Sequence, residues 1–237
     1  MKTTLLVPVL NEIEGMRVIM PRVKKEWVDE ILVIDGGSTD GSFEFAQKSG
    51  YVTLRQQSKG LTRAEWEGAQ AASGDVIINF SPDGNSVPER IPELVRKMRE
   101  GYDMVIASRY ARGANNEDDT LVTALGNRMF TKMINLFFGG NYSDTLVIFR
   151  AWKKEILKNL SFRESALEPQ LCIECARRKL KVAEIPGDEP KRIGGKAKMH
   201  PLLNGLWISK MLVAEFFSPP LLNPPSETEP VKMTHVL

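Results

Sequence analysis

Asp83 and Asn85 are, by type and spacing, residues that could do chemistry. They stand in Ser81-Pro-Asp-Gly-Asn85, just past an apolar, β-branched run from Val76 to Phe80. That run reads as a buried strand of a parallel sheet, and such sheets bind ligands at the carboxyl ends of their strands. A carboxylate and an amide two residues apart can both turn toward one hard cation or a bound diphosphate, because Mg2+ is held by one or two carboxylates together with substrate phosphates. The same residues also make an ordinary Pro-Asp-Gly turn, so the neighbouring segments have to decide. Two of these stand out. Gly36-Gly-Ser-Thr-Asp-Gly41 is a turn whose small residues let backbone approach a ligand. Pro186 to Lys198 is a glycine-bearing loop that carries Arg192, Lys196 and Lys198.

Strands and helices must alternate to place these turns. Strands are expected over Thr3 to Val7, Ile31 to Asp35, Tyr51 to Leu54, Val76 to Phe80 and Asp103 to Ala107. Helices are expected from Glu12 to about Trp27 with Asn11 as cap, and over Ser42 to Lys48, Leu61 to Ala72 and Pro88 to Glu100. Strands separated by helices of this length make βαβ units, hence an α/β, doubly wound, mostly parallel sheet with helices on both faces. Past Arg109 the pattern changes. A polar loop over 111–119 precedes a long helix from Leu121 to Phe138. A strand at Leu146 to Phe149, helices at Trp152 to Asn159 and Glu168 to Lys179, and a last strand at Lys181 to Ile185 follow. Leu202 to Phe217 reads as an amphipathic helix for a protein groove or a membrane surface. The Pro-rich residues 219–237 read as a disordered tail.

Size and charge exclude several classes. A chain of 237 residues fits one domain with a small appendage and needs no disulfide. Lys plus Arg number 32 against 30 Asp plus Glu, a net +2, so no general basic field points to nucleic acid. Cys172 and Cys175 form a lone Cys-x-x-Cys in a helical run and read as core thiols. The chain start lacks a signal-peptide pattern, and the stretch from Pro201 to Phe217 falls short of the ~20 apolar residues that a crossing needs. A cytoplasmic enzyme, peripheral on the membrane at most, is the expectation.

Three strand ends carry a shared pattern: Val7-Pro-Val-Leu-Asn-Glu12, Ile34-Asp-Gly-Gly-Ser-Thr-Asp-Gly41 and Ser81-Pro-Asp-Gly-Asn85 with Pro88-Glu89 behind it. Together with Ala107-Ser-Arg-Tyr110 and the segment from Asp144 to Phe149-Arg150, this text resembles the family-2 glycosyltransferases of the GT-A fold. It is most like the dolichyl-phosphate mannose synthase branch, over about residues 3–200. The resemblance implies a donor half at 1–110 and an acceptor half at 111–200. It implies an inverting hexosyltransferase that takes a GDP- or UDP-sugar, with Pro8, Leu10, Asn11, Glu12, Asp35, Gly37, Ser81 and Asp83 on the nucleotide sugar. A divalent cation, Mg2+ or Mn2+, is implied at Asp83 and Asn85. Lys59 and Arg63 could touch the diphosphate or form an exposed basic face.

Two departures from the family pattern matter. The usual Asp-x-Asp is Ser81-Pro82-Asp83, which leaves Asp83 as the metal-side acid and makes the cation site conditional on the donor. The usual Asp-Asp-Gly-Ser is Asp35-Gly36-Gly37-Ser38, which removes a second acid.

In that branch the acceptor is a lipid phosphate, already ionised, so that no general base is needed. Arg109 matches an acceptor arginine, and its guanidinium fork suits phosphate, although a structural ion pair is open to it as well. Arg192 and Lys196 belong to the loop that in the family folds over donor and acceptor, with Gly194-Gly195 giving it freedom to close. The second acceptor arginine is not evident where Asp118, Asp119 and Thr120 stand, although Arg128 lies further along. A relative using a saccharide hydroxyl, as in cell-surface polysaccharide synthesis, would need a base, for which Asp144 is the candidate; loop bracing is its other role. A homodimer contact through the last helix and a catalytically silent nucleotide-binding module are further readings.

Overall fold

Aliphatic and β-branched runs make the sheet, and alternate side chains along each strand supply its two faces. The computed structural model describes residues 1–160, 166–194 and 201–218. The strands are β1 (Thr3–Val9), β2 (Glu30–Asp35), β3 (Val52–Arg55), β4 (Val76–Asn79), β5 (Met104–Ser108), β6 (Arg150–Lys153) and β7 (Val182–Pro186). They form one sheet in the order β3-β2-β1-β4-β6-β5-β7. All pairings are parallel except those of β6, which runs antiparallel to both β4 and β5.

Helices α1 (Ile13–Ile19), α2 (Ser42–Lys48), α3 (Leu61–Ala71), α4 (Ile91–Arg99), α5 (Leu121–Phe138), α6 (Leu167–Arg177) and α7 (Pro201–Phe217) cover the sheet. Leu5, Val33 and Ile78 face a core with Met16, Ile91 and Leu94; Leu6, Ile34 and Ile77 face the opposite core with Ala64, Phe130, Leu171 and Ile208. Two buried layers thus hold the strand ends rigid.

Five expectations need correction. The first strand runs on through Pro8 to Val9; pairing with β4 stops at Leu6, so the missing N–H of Pro8 falls where the strand has lost that neighbour. The first helix stops at Ile19, because Pro21 follows and only short 3-10 turns remain at Met20–Arg22 and Lys25–Trp27. Asn11 does not cap it: Glu12 holds that position. The strand expected at Leu146 to Phe149 is displaced to Arg150–Lys153, and a 3-10 segment, Lys154–Asn159, replaces the following helix. The Asp144 carboxylate takes the amides of Leu146 and Val147 at 3.2 Å each, which turns that apolar run into a loop. Both cysteines are buried free thiols, as expected. Lys196, Lys198, Gly195 and residues 219–237 lie outside the described residues.

Candidate active site

The first two strand-end turns are stitched to each other. Asn11 adopts φ 53°, a left-handed conformation that Asn tolerates. Its amide donates to Ser38 Oγ at 2.9 Å and its Oδ1 accepts from the Thr39 amide at 2.8 Å. The Glu12 amide donates to Ser42 Oγ at 3.0 Å. Asp40 takes the Ile13 amide at 3.0 Å, capping α1 from a neighbouring loop. Burial alone would raise the Asp40 carboxyl, but hydrogen bonds from Ser42 and the Ile13 amide overcome this and hold it below its usual range.

Asp35 is buried and braces its own turn, accepting from the Gly37 and Ser38 amides at 3.0 and 3.1 Å and from Arg55 Nη1 at 3.0 Å. The turn needs glycine at Gly37, where φ is 97°. Pro8 is buried behind these turns and Leu10 is exposed beside them. Lys59 is exposed and Arg63 half-buried. A cavity of about 270 Å³ opens between Asn11, Glu12, Glu14, Gly15, Asp40 and Ile193.

The third turn carries Asp83, which is 7% exposed. Its Oδ2 accepts from Arg192 Nη1 at 2.5 Å, while Arg192 Nη2 donates to Glu12 Oε1 at 2.6 Å. One guanidinium therefore bridges the first and third turns. The Ile193 amide donates to the Asp83 carbonyl at 2.6 Å, and Gly84, at φ 97°, leaves room for Ile193, whose Cγ1 would lie 2.8 Å from an added Cβ. Asn85 Nδ2 donates to Asp118 at 2.9 Å and to the Pro190 carbonyl at 2.8 Å, so the amide holds two loops.

Ser81 is half-buried two residues before Asp83. Among the described residues no cluster of three or more His, Cys, Asp or Glu is arranged to hold a metal. A single carboxylate with phosphate oxygens and water still fits Mg2+, which keeps several waters and binds through as few as one carboxylate. The donor set thus fits a cation brought with a diphosphate.

Arg109 and Asp144 meet at the end of β5. Arg109 Nε and Nη2 donate to the two Asp144 oxygens at 2.7 and 3.0 Å, and its Nη1 reaches Glu189 at 3.3 Å. Asp144 is fully buried and also accepts from Asn127 Nδ2 at 2.8 Å. Burial would raise its pKa; the Arg109 charge and hydrogen bonds outweigh that and hold it below the usual carboxylate range. A saturated, acid-shifted carboxylate is poorly suited to take a proton. Its contacts are those of a brace.

Sequence reasoning missed Glu189. Burial pushes its pKa up to about 7, with Asp119, Asp144 and Asp118 adding to the rise against the pull of Arg109. Its amide donates to the Asn115 carbonyl and its carbonyl accepts from the Glu117 amide, both at 2.9 Å, so the late loop is bonded to the 111–119 loop. The only hint of this was its place in a loop already marked as functional. Glu184 was also missed; it accepts from the Ser143 amide at 2.8 Å and so positions the Asp144 segment. Tyr110 donates to Asp119, and burial raises its hydroxyl to about 12. The Arg109 and Arg128 guanidiniums lie 5.6 and 5.9 Å from the Tyr110 ring centre.

A model of the family Glycosyl transferase family 2 matches residues 4–161. The chain belongs to glycosyl transferase family 2. This family-2 enzyme is 28% identical over 185 residues to a dolichyl-phosphate hexose transferase of Haloferax volcanii, covering 78% of this chain and 79% of that one. It is 29% identical over 209 residues to the dolichol-phosphate mannosyltransferase of Pyrococcus furiosus, covering 84% of this chain and 59% of the relative. Glucosyl-3-phosphoglycerate synthase from Mycobacterium tuberculosis, solved with Mn2+, uridine diphosphate and phosphoglyceric acid, superposes with a TM-score of 0.70. The two chains are 21% identical over 92% of this chain and 79% of the other. That likeness establishes the fold, the mostly parallel α/β sheet expected from the alternation of strands and helices.

Proposed function

We propose that this glycosyltransferase moves a hexose, with inversion, from a GDP- or UDP-sugar to a lipid-borne phosphate such as polyprenyl phosphate. Residues 1–110 form the donor half and 111–200 the acceptor half. The observation that carries the lipid acceptor is the open face of α5 and α7. Of eighteen exposed large apolar side chains among the described residues, thirteen lie on these two helices. Phe137 of α5 and Phe216 of α7 meet edge to face, 5.6 Å between centres, joining the two into one surface. Neither helix exposes a carboxylate: α5 has none and Glu215 of α7 is buried against Arg177. Arg128, Lys132 and Lys210 stand exposed among the apolar residues. Such a face suits the interface of an anionic bilayer, and α5 starts beside Asp119 and Tyr110, at the Arg109 corner. No helix among the described residues is long and apolar enough to cross a membrane. The dolichyl-phosphate and dolichol-phosphate relatives support the same acceptor class.

In the reaction, an ionised phosphate oxygen of the acceptor attacks the anomeric carbon opposite the leaving nucleoside diphosphate, and the bond from that carbon to the diphosphate breaks. A divalent cation bound with the donor neutralises the leaving charge. Asp83 anchors that end of the donor, and the first two turns hold base and ribose through Asn11, Glu12 and the Asp35 turn. Asp144 and Glu189 fix Arg109 at the acceptor end. Glu189 favours one second reading: a carboxylate titrating near 7 could take a proton from a saccharide hydroxyl.

The test is transfer from a panel of GDP- and UDP-sugars with Mn2+ or Mg2+ to polyprenyl phosphate in anionic vesicles and to soluble saccharides. Transfer to the lipid phosphate, lost on Leu125→Glu with donor hydrolysis retained, is expected. Transfer to saccharides alone would overturn the lipid reading, and nucleotide binding without turnover would overturn the enzyme.

A further inference from the structure

Arg192 lies where a cation would be expected. Its Nη1 is 2.5 Å from the Asp83 carboxylate and its Nη2 is 2.6 Å from Glu12. The chain it belongs to is bonded to the same residue again, through the Ile193 amide and the Asp83 carbonyl at 2.6 Å. The Nε of Arg192 is buried and has no hydrogen-bond partner among the described residues. A guanidinium placed only to brace the fold would use that donor, so the arginine is incompletely satisfied in this position.

We propose that Arg192 is an internal counter-ion of Asp83 that a divalent cation must displace, so that residue 192 sets the metal affinity of the site. A metal ion binds a carboxylate oxygen at about 2.1 Å, and two cations cannot share Asp83 Oδ2 at such distances without strong repulsion. With Ser81 in place of a second acid, the protein alone lacks the charge to win that exchange. A diphosphate brings the missing ligands for the metal and new acceptors for the freed Arg192, Nε included. Cation and donor therefore enter together. Arg192 and Ile193 leave Asp83 as they do so.

This inference rests on reading the Asp83 corner as the diphosphate site, but its test needs neither sugar nor acceptor. Mn2+ binding is followed by the loss of the free-ion electron paramagnetic resonance signal, with and without inorganic pyrophosphate. The wild type is expected to bind Mn2+ weakly alone and better with pyrophosphate. Arg192→Ala is expected to bind Mn2+ alone roughly tenfold to a hundredfold more tightly, the worth of one charge-assisted hydrogen bond, and Arg192→Lys should fall between. The gain must vanish in Arg192→Ala/Asp83→Asn. In the wild type, hydrogen exchange at the Ile193 amide should speed up on adding Mn2+ and pyrophosphate. Unchanged or weaker Mn2+ binding by Arg192→Ala, a gain that survives loss of Asp83, or an Ile193 amide that stays protected would overturn the proposal. Failure of sugar transfer with the Mn2+ results intact would overturn the functional reading alone.

Discussion

Replacing Asp144 by Asn tests whether the Arg109 corner is a brace. The substitution keeps the size and one acceptor oxygen for the Leu146 and Val147 amides but removes the charge opposite Arg109, which is left with Glu189 at 3.3 Å. Arg109 is only 15% exposed, so water cannot replace the lost partner. Removing one member of a buried ion pair costs about 3–5 kcal/mol, chiefly as the penalty of an uncompensated charge. For a domain of this size each kcal/mol lowers Tm by about 2–4 °C, so the variant should melt roughly 6–20 °C lower. Arg109→Met/Asp144→Asn removes the stranded charge and should recover at least about 2 kcal/mol relative to Asp144→Asn, because interacting residues are not additive. Urea melts of wild type, both single variants and the double variant complete the cycle. A loss below about 1 kcal/mol for Asp144→Asn, or a double variant less stable than both singles, would refute the reasoning.

Three further outcomes follow from the same physics. Glu189 is raised to about 7 from 4.5, so its protonated form stabilises the fold fully below 4.5 and that contribution, on the order of 3 kcal/mol, is lost as pH rises through 7. Urea melts across pH 4.5–8 should show a steeper loss of stability with pH in the wild type than in Glu189→Gln. Glu65 is fully buried, takes a bond from Asn79 at 2.8 Å and is raised well above 4.5 by burial and by Glu168. Glu65→Gln should therefore fold normally and gain stability over the wild type as pH increases above 4.5; equal pH slopes would show that Glu65 is charged in the fold. Gly84→Ala, at φ 97° and against Ile193, should cost about 1–3 kcal/mol and accelerate exchange at the Ile193 amide.

Much of the fold was legible because local signals agreed. The helix from Leu121 to Phe138 has a Thr120–Thr123 capping box at its start and Gly139 at φ 77° at its end. The helix over Ser42–Lys48 falls where the glycine-rich turn ends. β6 was placed too early, at Leu146 to Phe149, because its true first residue is an arginine with no local strand signal. Arg150 is buried in the sheet by the carbonyls of Thr145, Val147 and Glu168 and by Cys172 Sγ, partners up to 22 residues away that no local pattern reports. In the candidate site, strand-end positions pointed to Asp83, Asn11 and Arg109, since turn residues and sheet ends are readable. Which oxygen meets which nitrogen was not. Arg109 meets Asp144, Arg192 meets Asp83, and Glu189 titrates near neutrality through burial that only the packed loops create.

The reversed strand β6 has one more effect. It sits between β4 and β5, pairing Asn79 and Ile106 alike with Arg150. Asn79 at the end of β4 and Ile106 near the end of β5 are therefore two strand spacings apart, about 10 Å. A single antiparallel strand thus acts as a spacer between the two parallel strands whose ends lead into the Asp83 and Arg109 turns.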